Sequence, residues 1–317
     1  MTFQDNQDRF RGCLPGLATG DAVGTTLEFM PPGSFDPIDD MMGGGPFHLK
    51  PGQWTDDTSM ALCLAESLVE CQKFDPVDQM NRYVRWWRQG YLSSTGQCFD
   101  IGGTTSIALA AYEHSDDPYS GSGSTDVRSA GNGSIMRLAP VPMYFANNPA
   151  NAINYAADSS RTTHGATTAV DACRYFAWII VGALQGVDKA VLTSPDYMAT
   201  TPYWTPQPLC TEIDEIARGS YWDRIPPQIK RSGYAVQSLE AALWAFSRSN
   251  TFKEGCLLAV NLGDDADTTG AVFGQLAGAY YGVDGIPQSW RDKLSHHDLI
   301  VSLVDRLHAV GGAQKRP

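Results

Sequence analysis

Two short acidic clusters hold the residues best suited to chemistry: Thr55-Asp56-Asp57-Thr58 and, far along the chain, Asp264-Asp265-Ala266-Asp267-Thr268. Carboxylates and hydroxyls are the oxygen ligands that hard divalent cations such as Mg²⁺ or Mn²⁺ require. One cluster supplies half a coordination shell. Two that converge can hold two metals and leave positions open for water and substrate, the arrangement of a metal-dependent hydrolase. Helix capping is the alternative, because each cluster precedes a helical pattern and Asp and Thr satisfy free N–H groups at the positive end of a helix. Capping accounts easily for the first cluster. It accounts poorly for three carboxylates within four residues, Asp264, Asp265 and Asp267. Like charges that close destabilise a fold unless cations neutralise them.

The elements that must position these clusters read as helices. Apolar residues recur at helical spacing over 58–72, 167–185, 235–248 and 254–262. Residues 10–24 carry Phe10, Leu14 and Leu17 beside Gly16, Gly20 and Gly24, and residues 268–282 carry Gly270, Gly274 and Gly278. Glycines at every fourth place share one helix face and permit close packing; no G-x-G-x-x-G or Walker pattern is present. With no alternating strand of useful length, the chain is predicted to be an all-α globule, with a disordered tail at 311–317. Three segments break the texture: a Pro- and Gly-rich loop at 30–54 leading into the first acidic cluster, a polar glycine-rich stretch at 115–134, and 193–208 with its four prolines. Long loops inside a compact domain are often functional.

Composition narrows the class. With 317 residues and 43% hydrophobic content the chain can bury a sizeable core. A formal net charge of −12 disfavours a nucleic-acid binder and attachment to anionic membranes. No run approaches about eighteen uninterrupted apolar residues, and the first dozen residues lack a signal-peptide core. Seven scattered cysteines without C-x-x-C spacing read as free thiols of a reducing compartment. The expectation is a cytoplasmic protein.

Six blocks, in order, carry a resemblance: G-L-A-T-G-D-A-V-G-T-T-L-E-F (16–29), G-Q-W-T-D-D-T-S-M (52–60), F-D-I-G-G-T-T (99–105), S-A-G-N-G-S-I-M-R-L-A-P-V (129–141), S-R-T-T-H (160–164) and G-D-D-A-D-T-T-G (263–270). Together they resemble the ADP-ribosylglycohydrolases, and among these the bacterial dinitrogenase-reductase-activating type. The resemblance implies a compact all-α orthogonal fold, a single domain over 1–310, with a central binuclear Mg²⁺ or Mn²⁺ cleft and hydrolysis of ADP-ribose from a protein side chain. By position it implies metal ligation by Thr55, Asp56, Asp57, Asp265, Asp267 and Thr268, with Asp264 left out because many relatives carry glycine there. Catalytic roles fall to Asp100, Glu28 and Asp57, Glu28 also lying within reach of the metals directly or through water. Gly103 departs from the usual asparagine.

The block Ser129, Gly131, Asn132, Gly133 and Ser134 would cradle the pyrophosphate and distal ribose, free N–H groups meeting phosphate oxygens. His164 would touch the same groups, and Tyr234, then Trp204, would stack on adenine. Relatives that favour ADP-ribosyl-serine carry an aromatic residue at the place of Ala130, so Ala130 implies the arginine linkage. The expected activity is therefore release of ADP-ribose from modified protein arginine, reversing mono-ADP-ribosylation. The alternatives are another ADP-ribosyl linkage (serine, a small metabolite or a toxin-modified target) or a non-catalytic ADP-ribose-binding module.

Overall fold

The computed structural model describes residues 3–121, 129–204 and 206–312. Helices α1 (Phe3–Gly24), α2 (Asp56–Cys71), α3 (Pro76–Gln89) and α4 (Gly103–Ser115) come first. Helices α5 (Pro140–Tyr144), α6 (Pro149–Arg161), α7 (Thr167–Leu184), α8 (Lys189–Leu192) and α9 (Thr211–Ala217) follow. The last five are α10 (Ala235–Arg248), α11 (Phe252–Val260), α12 (Ala266–Tyr281), α13 (Gln288–Arg291) and α14 (His297–Gly312). Among the described residues there is no strand, only isolated bridges between Gly44 and Leu49 and between Gly131 and Tyr234. The all-α expectation holds. At the C-terminus the expectation needs correcting: residues 311 and 312 belong to α14, with Gly311 packed against the Tyr144 backbone, and 313–317 lie outside the described residues.

The glycine rows at the two ends of the chain pack on each other. A Cβ on Gly20 would lie 1.9 Å from the Gly270 carbonyl oxygen, and one on Gly274 2.0 Å from the Gly16 oxygen. Gly12 meets Gly278 and Gly24 meets Ala266, so α1 and α12 run antiparallel with their backbones in contact. Only residues without a Cβ allow that approach. The seam brings the C-terminal end of α1, with Asp21, to the N-terminal end of α12, with Asp265 and Asp267.

Helix α7 is as long and apolar as a membrane span, but nearly all of it is buried by α5, α6, α10 and α12. It forms the middle of the main core. A smaller core of Met60, Cys63, Met80, Tyr83, Trp86, Leu109, Tyr112 and Met136 joins α2, α3 and α4. This second core holds α4 through Leu109 and Tyr112, and Cys98 and Ile101 of the loop bearing Asp100 pack against it.

Candidate active site

Helix ends elsewhere in the protein show what ordinary capping looks like. Asp75 accepts from the N–H groups of Val77 and Asp78 at the start of α3, with Pro76 next in line, and Thr251 accepts from Glu254 N–H at the start of α11. The acidic clusters do not behave this way. Neither Thr55 at the start of α2 nor Asp265 at the start of α12 makes a side-chain capping bond. The α2 end is satisfied from another helix. Asp21 of α1 accepts from Thr55 N–H at 2.9 Å, Thr55 Oγ1 at 3.0 Å, Thr58 N–H at 3.1 Å and Thr58 Oγ1 at 2.6 Å. Relieved of capping, Asp56 and Asp57 are held in the first turn of α2, facing the end of α12.

The two clusters meet. Thr55 Oγ1 lies 3.2 Å from Asp57 Oδ2 and 3.2 Å from Asp267 Oδ2, and Thr268 Oγ1 donates to Asp57 Oδ2 at 3.4 Å. Beside them opens a cavity of about 840 Å³. Asp56, Asp265, Asp267 and Thr268 line it; Thr55 and Asp57 are fully buried beneath. Glu28 and Asp100 join from two loops, and ligand atoms of Glu28, Asp100 and Asp267 lie within 4.8 Å of one another. Of the residues expected to bind metal, only Asp267 belongs to this tight trio. The other two come from the pair expected to move protons.

Three buried carboxylate oxygens, Glu28 Oε2, Asp57 Oδ1 and Asp267 Oδ1, have no hydrogen-bond donor among the described residues. Buried anionic oxygens without donors are costly, and a hard cation is the partner that satisfies several at once. The residues present therefore fit divalent cations. Protonation tells the same story. Burial first, then the surrounding carboxylates, raises Asp56, Asp57 and Asp267 well above the usual range. Burial, chiefly, also raises Asp265, brings Asp21 to about 6 and Asp100 to about 7, and with the nearby Asp100 charge pushes Glu28 to about 10. A bound cation reverses this pressure by favouring the ionised forms.

Backbone strain collects at the cavity. Phe29, Asp100 and Asp264, all lining it, have φ of 61°, 60° and 53°. Left-handed conformations cost roughly 1–3 kcal/mol each for such residues and persist where surrounding structure imposes them. Here Phe29 N–H donates to Asp264 O at 2.7 Å and Asp264 N–H to Met30 O at 2.8 Å. The Asp264 carboxylate turns toward Arg231, 3.4 Å away. Gly103 also lines the cavity, and a Cβ there would meet nothing within 4 Å.

The opposite side is built by the glycine block. Asn132 Nδ2 donates to Asp265 Oδ2 at 2.5 Å and to Ser238 Oγ at 2.9 Å, tying the block to the acidic side and to α10. Gln275 of α12 donates to the carbonyls of Ile135 and Met136. Gly131, Asn132, Gly133 and His164 line the cavity. The two glycines also serve a protein neighbour: a Cβ on Gly133 would lie 2.8 Å from His164 Cε1, and one on Gly131 3.1 Å from its Nε2.

Several expected contacts lie elsewhere. Ser134 is buried behind the block, accepting from Ser160 and Cys173, because its hydroxyl faces α6 and α7. Ser129 is half-buried and outside the lining. Tyr234 begins α10 with its backbone bridged to Gly131, and its ring packs partly on the main core, while its neighbours Ser232 and Gly233 line the cavity. Trp204 is buried against the Arg174 guanidinium, 5.3 Å from its ring, and does not line the cavity. Sequence reasoning passed over Asp21, Arg231 and Arg137. Asp21 follows Gly20 in a segment read only for packing, and an acid that serves the end of another helix leaves no spacing of its own.

Comparison with known proteins agrees with this geometry. The family model described as ADP-ribosylglycohydrolase matches residues 2–317. ADP-ribosylarginine hydrolase Tri1 of Pseudomonas putida (strain GB-1) is 43% identical over 97% of this chain and 80% of its own length. ADP-ribosyl-[dinitrogen reductase] glycohydrolase of Rhodospirillum rubrum is 31% identical over 93% of this chain and 92% of its own. A solved structure titled ADP-ribosylglycohydrolase-related protein complex superposes with a TM-score of 0.85 at 42% identity, over 98% of this chain and 100% of that one. A match over nearly the whole chain, both in sequence and in fold, shows that the chain belongs to the ADP-ribosylglycohydrolase family.

Proposed function

We propose that this protein hydrolyses the N-glycosidic bond between ADP-ribose and a protein arginine side chain. The observation that carries the reading is a single cavity with donor-less buried carboxylate oxygens on one side and the Gly131–Gly133 block with His164 on the other. A ribose with vicinal hydroxyls suits the first side when cations occupy it, and a diphosphate suits the second. The full-length similarity to proteins named for ADP-ribosylarginine supports the linkage. Seven free thiols fit a reducing, cytoplasmic setting.

Asp56, Asp57, Asp265 and Asp267, with Thr55 and Thr268, would hold two cations, Mg²⁺ or Mn²⁺. Such cations supply Lewis acidity, orienting ribose hydroxyls and lowering the pKa of a nearby water. Hydrolysis joins the water oxygen to the anomeric carbon and breaks the carbon–nitrogen bond. One proton leaves the water and one reaches the departing guanidine nitrogen. Asp100 and Glu28, carboxyls that line the cavity within reach of each other, would carry those protons. Asp57, buried beneath, orients Thr55 and Thr268. Asp21 collects the four donors at the start of α2 and so positions the first cluster.

The test is release of ADP-ribose from an ADP-ribosyl-arginine protein beside an ADP-ribosyl-serine peptide, with Mg²⁺, Mn²⁺ or EDTA. Metal-dependent release from arginine alone is expected. Release from serine would overturn the linkage, and binding of ADP-ribose without release from either substrate would make the protein a binding module.

A further inference from the structure

His164 is buried, 2% exposed, yet lines the cavity. Its Nε2 edge points at the glycine block, as the distances from Gly131 and Gly133 require. Its other edge joins a chain that runs inward. Thr163 Oγ1 lies 2.8 Å from His164 Nδ1, and Arg137 Nη2 donates to the same Oγ1 at 2.7 Å. Arg137 is wholly buried; it rests on the Tyr83 ring at 4.5 Å and reaches Met60 Sδ at 3.6 Å. Among the described residues no carboxylate pairs with it. Buried guanidinium groups are ordinarily paired with carboxylates, so this one has been kept for another purpose.

The donors and acceptors fix the direction of the chain. A guanidinium only donates, so Thr163 Oγ1 is an acceptor toward Arg137. The Thr163 hydroxyl is fully buried, and among the described residues its own proton finds one acceptor in reach, His164 Nδ1. Were Nδ1 protonated, both neighbours would donate to Thr163 and its proton would be left buried without an acceptor, which native structures avoid. Nδ1 therefore accepts, and the single ring proton sits on Nε2, facing the cavity. A doubly protonated ring fails for the same reason and would place a second cation beside Arg137. Burial, then the Arg137 charge, holds His164 at about 3.

We propose that Arg137 and Thr163 lock His164 as the neutral Nε2–H tautomer, making it a dedicated hydrogen-bond donor to an anionic oxygen of the bound ligand. Arg137 and Thr163 are positioning residues, since neither lines the cavity. Arg137 adds an uncompensated positive charge behind the glycine block, which favours an anion there. That the oxygen belongs to the diphosphate of ADP-ribose rests on the hydrolase reading; the tautomer does not.

Nitrogen chemical shifts read imidazole tautomers directly. In ¹⁵N-labelled, ligand-free full-length protein, the His164 ring should show one protonated nitrogen, Nε2, and one unprotonated, Nδ1, unchanged across neutral pH. Thr163→Val should mix the tautomers and weaken ADP-ribose binding about tenfold or more, the scale of one hydrogen bond to a charged group. It should raise KM more than it lowers kcat, and Thr163→Ser should restore both signals. A wild-type ring protonated on Nδ1, or Thr163→Val with wild-type tautomer and affinity, would overturn the proposal. If Thr163→Val does not fold, the wild-type and Thr163→Ser spectra decide. Wild-type protein that shows the tautomer but neither binds nor releases ADP-ribose would sink the hydrolase reading while leaving the lock intact.

Discussion

The cavity has two sides of opposite character. On the side built by α1, α2, α12 and two loops, Glu28, Asp56, Asp57, Asp100, Asp265 and Asp267 crowd together, and every one is pushed toward its protonated form. On the side built by the glycine block, a neutral histidine is backed by Arg137, a buried cation without a carboxylate partner among the described residues. The first side is an excess of acceptors waiting for cations. The second is a set of donors waiting for anions. The difference teaches that acceptors and donors are segregated across the pocket, which in the proposed reading suits a ligand with hydroxyls at one end and phosphates at the other. Asn132, bonded to Asp265, is the direct bridge between them.

The comparison breaks most completely by emptying the acidic side. Asp57→Ala or Asp267→Ala should keep the helical fold by circular dichroism and lower kcat/KM by at least about 10³-fold, the scale of several kcal/mol of metal-derived stabilisation. ADP-ribose binding should survive better than turnover, because the donor side is intact.

Next comes the metal-free protein. Carboxyls whose pKa folding has raised bind more protons folded than unfolded between the ordinary 3.8 and their native values, about 6 for Asp21 and about 7 for Asp100. Stability from these groups is therefore present at acid pH and falls as pH climbs through that window. With EDTA, Tm should drop from pH 5 to pH 8. Mg²⁺ or Mn²⁺ at a hundred times its Kd should restore about 2.7 kcal/mol at the upper end. A Tm that rises with pH in EDTA would show that the crowding is not felt.

Asp21→Asn sharpens the contrast from beneath. The loss of charge under α2 should lower metal affinity about 10–100-fold by titration calorimetry, the usual penalty for disturbing an orienting partner. Gly133→Ala works on the other side. Its methyl meets the His164 ring, so ADP-ribose affinity should fall about tenfold while metal affinity is unchanged. Smallest is Asp264→Gly: relief of the side chain at φ 53° opposes loss of the ion pair to buried Arg231, so stability should change by about 1 kcal/mol or less, with turnover within a few-fold of wild type.

Much of the frame is legible in the sequence because it depends on local patterns. The apolar spacings at 58–72, 167–185, 235–248 and 254–262 correspond to α2, α7, α10 and α11 within a few residues. The glycine rows announce close packing, though not that they pack on each other, since partner choice is a tertiary fact. Helix α3 was missed even though Asp75-Pro76 is a strong start signal; its Trp- and Arg-rich run reads as mixed. The acidic residues stood out by chemistry. Asp21, Arg137 and Thr163 did not, because their work is done through other side chains. An aspartate that caps a neighbouring helix and an arginine that orients a histidine leave no spacing to find. Trp204 erred the other way: an aromatic residue in a long loop looked available for a base, and the fold spent it on Arg174.

The seam between α1 and α12 also sets an order of events. Its halves, Gly12–Gly24 and Ala266–Gly278, stand near opposite ends of the chain, so closing it demands a large loop. A chain still being synthesised presents Asp21, Asp56 and Asp57 long before Asp265 and Asp267 leave the ribosome. The acidic pocket therefore closes only after α12 has been made. A truncation that stops before α12 would lose the chemistry along with the stability, so a half-built chain has no enzymatic life of its own.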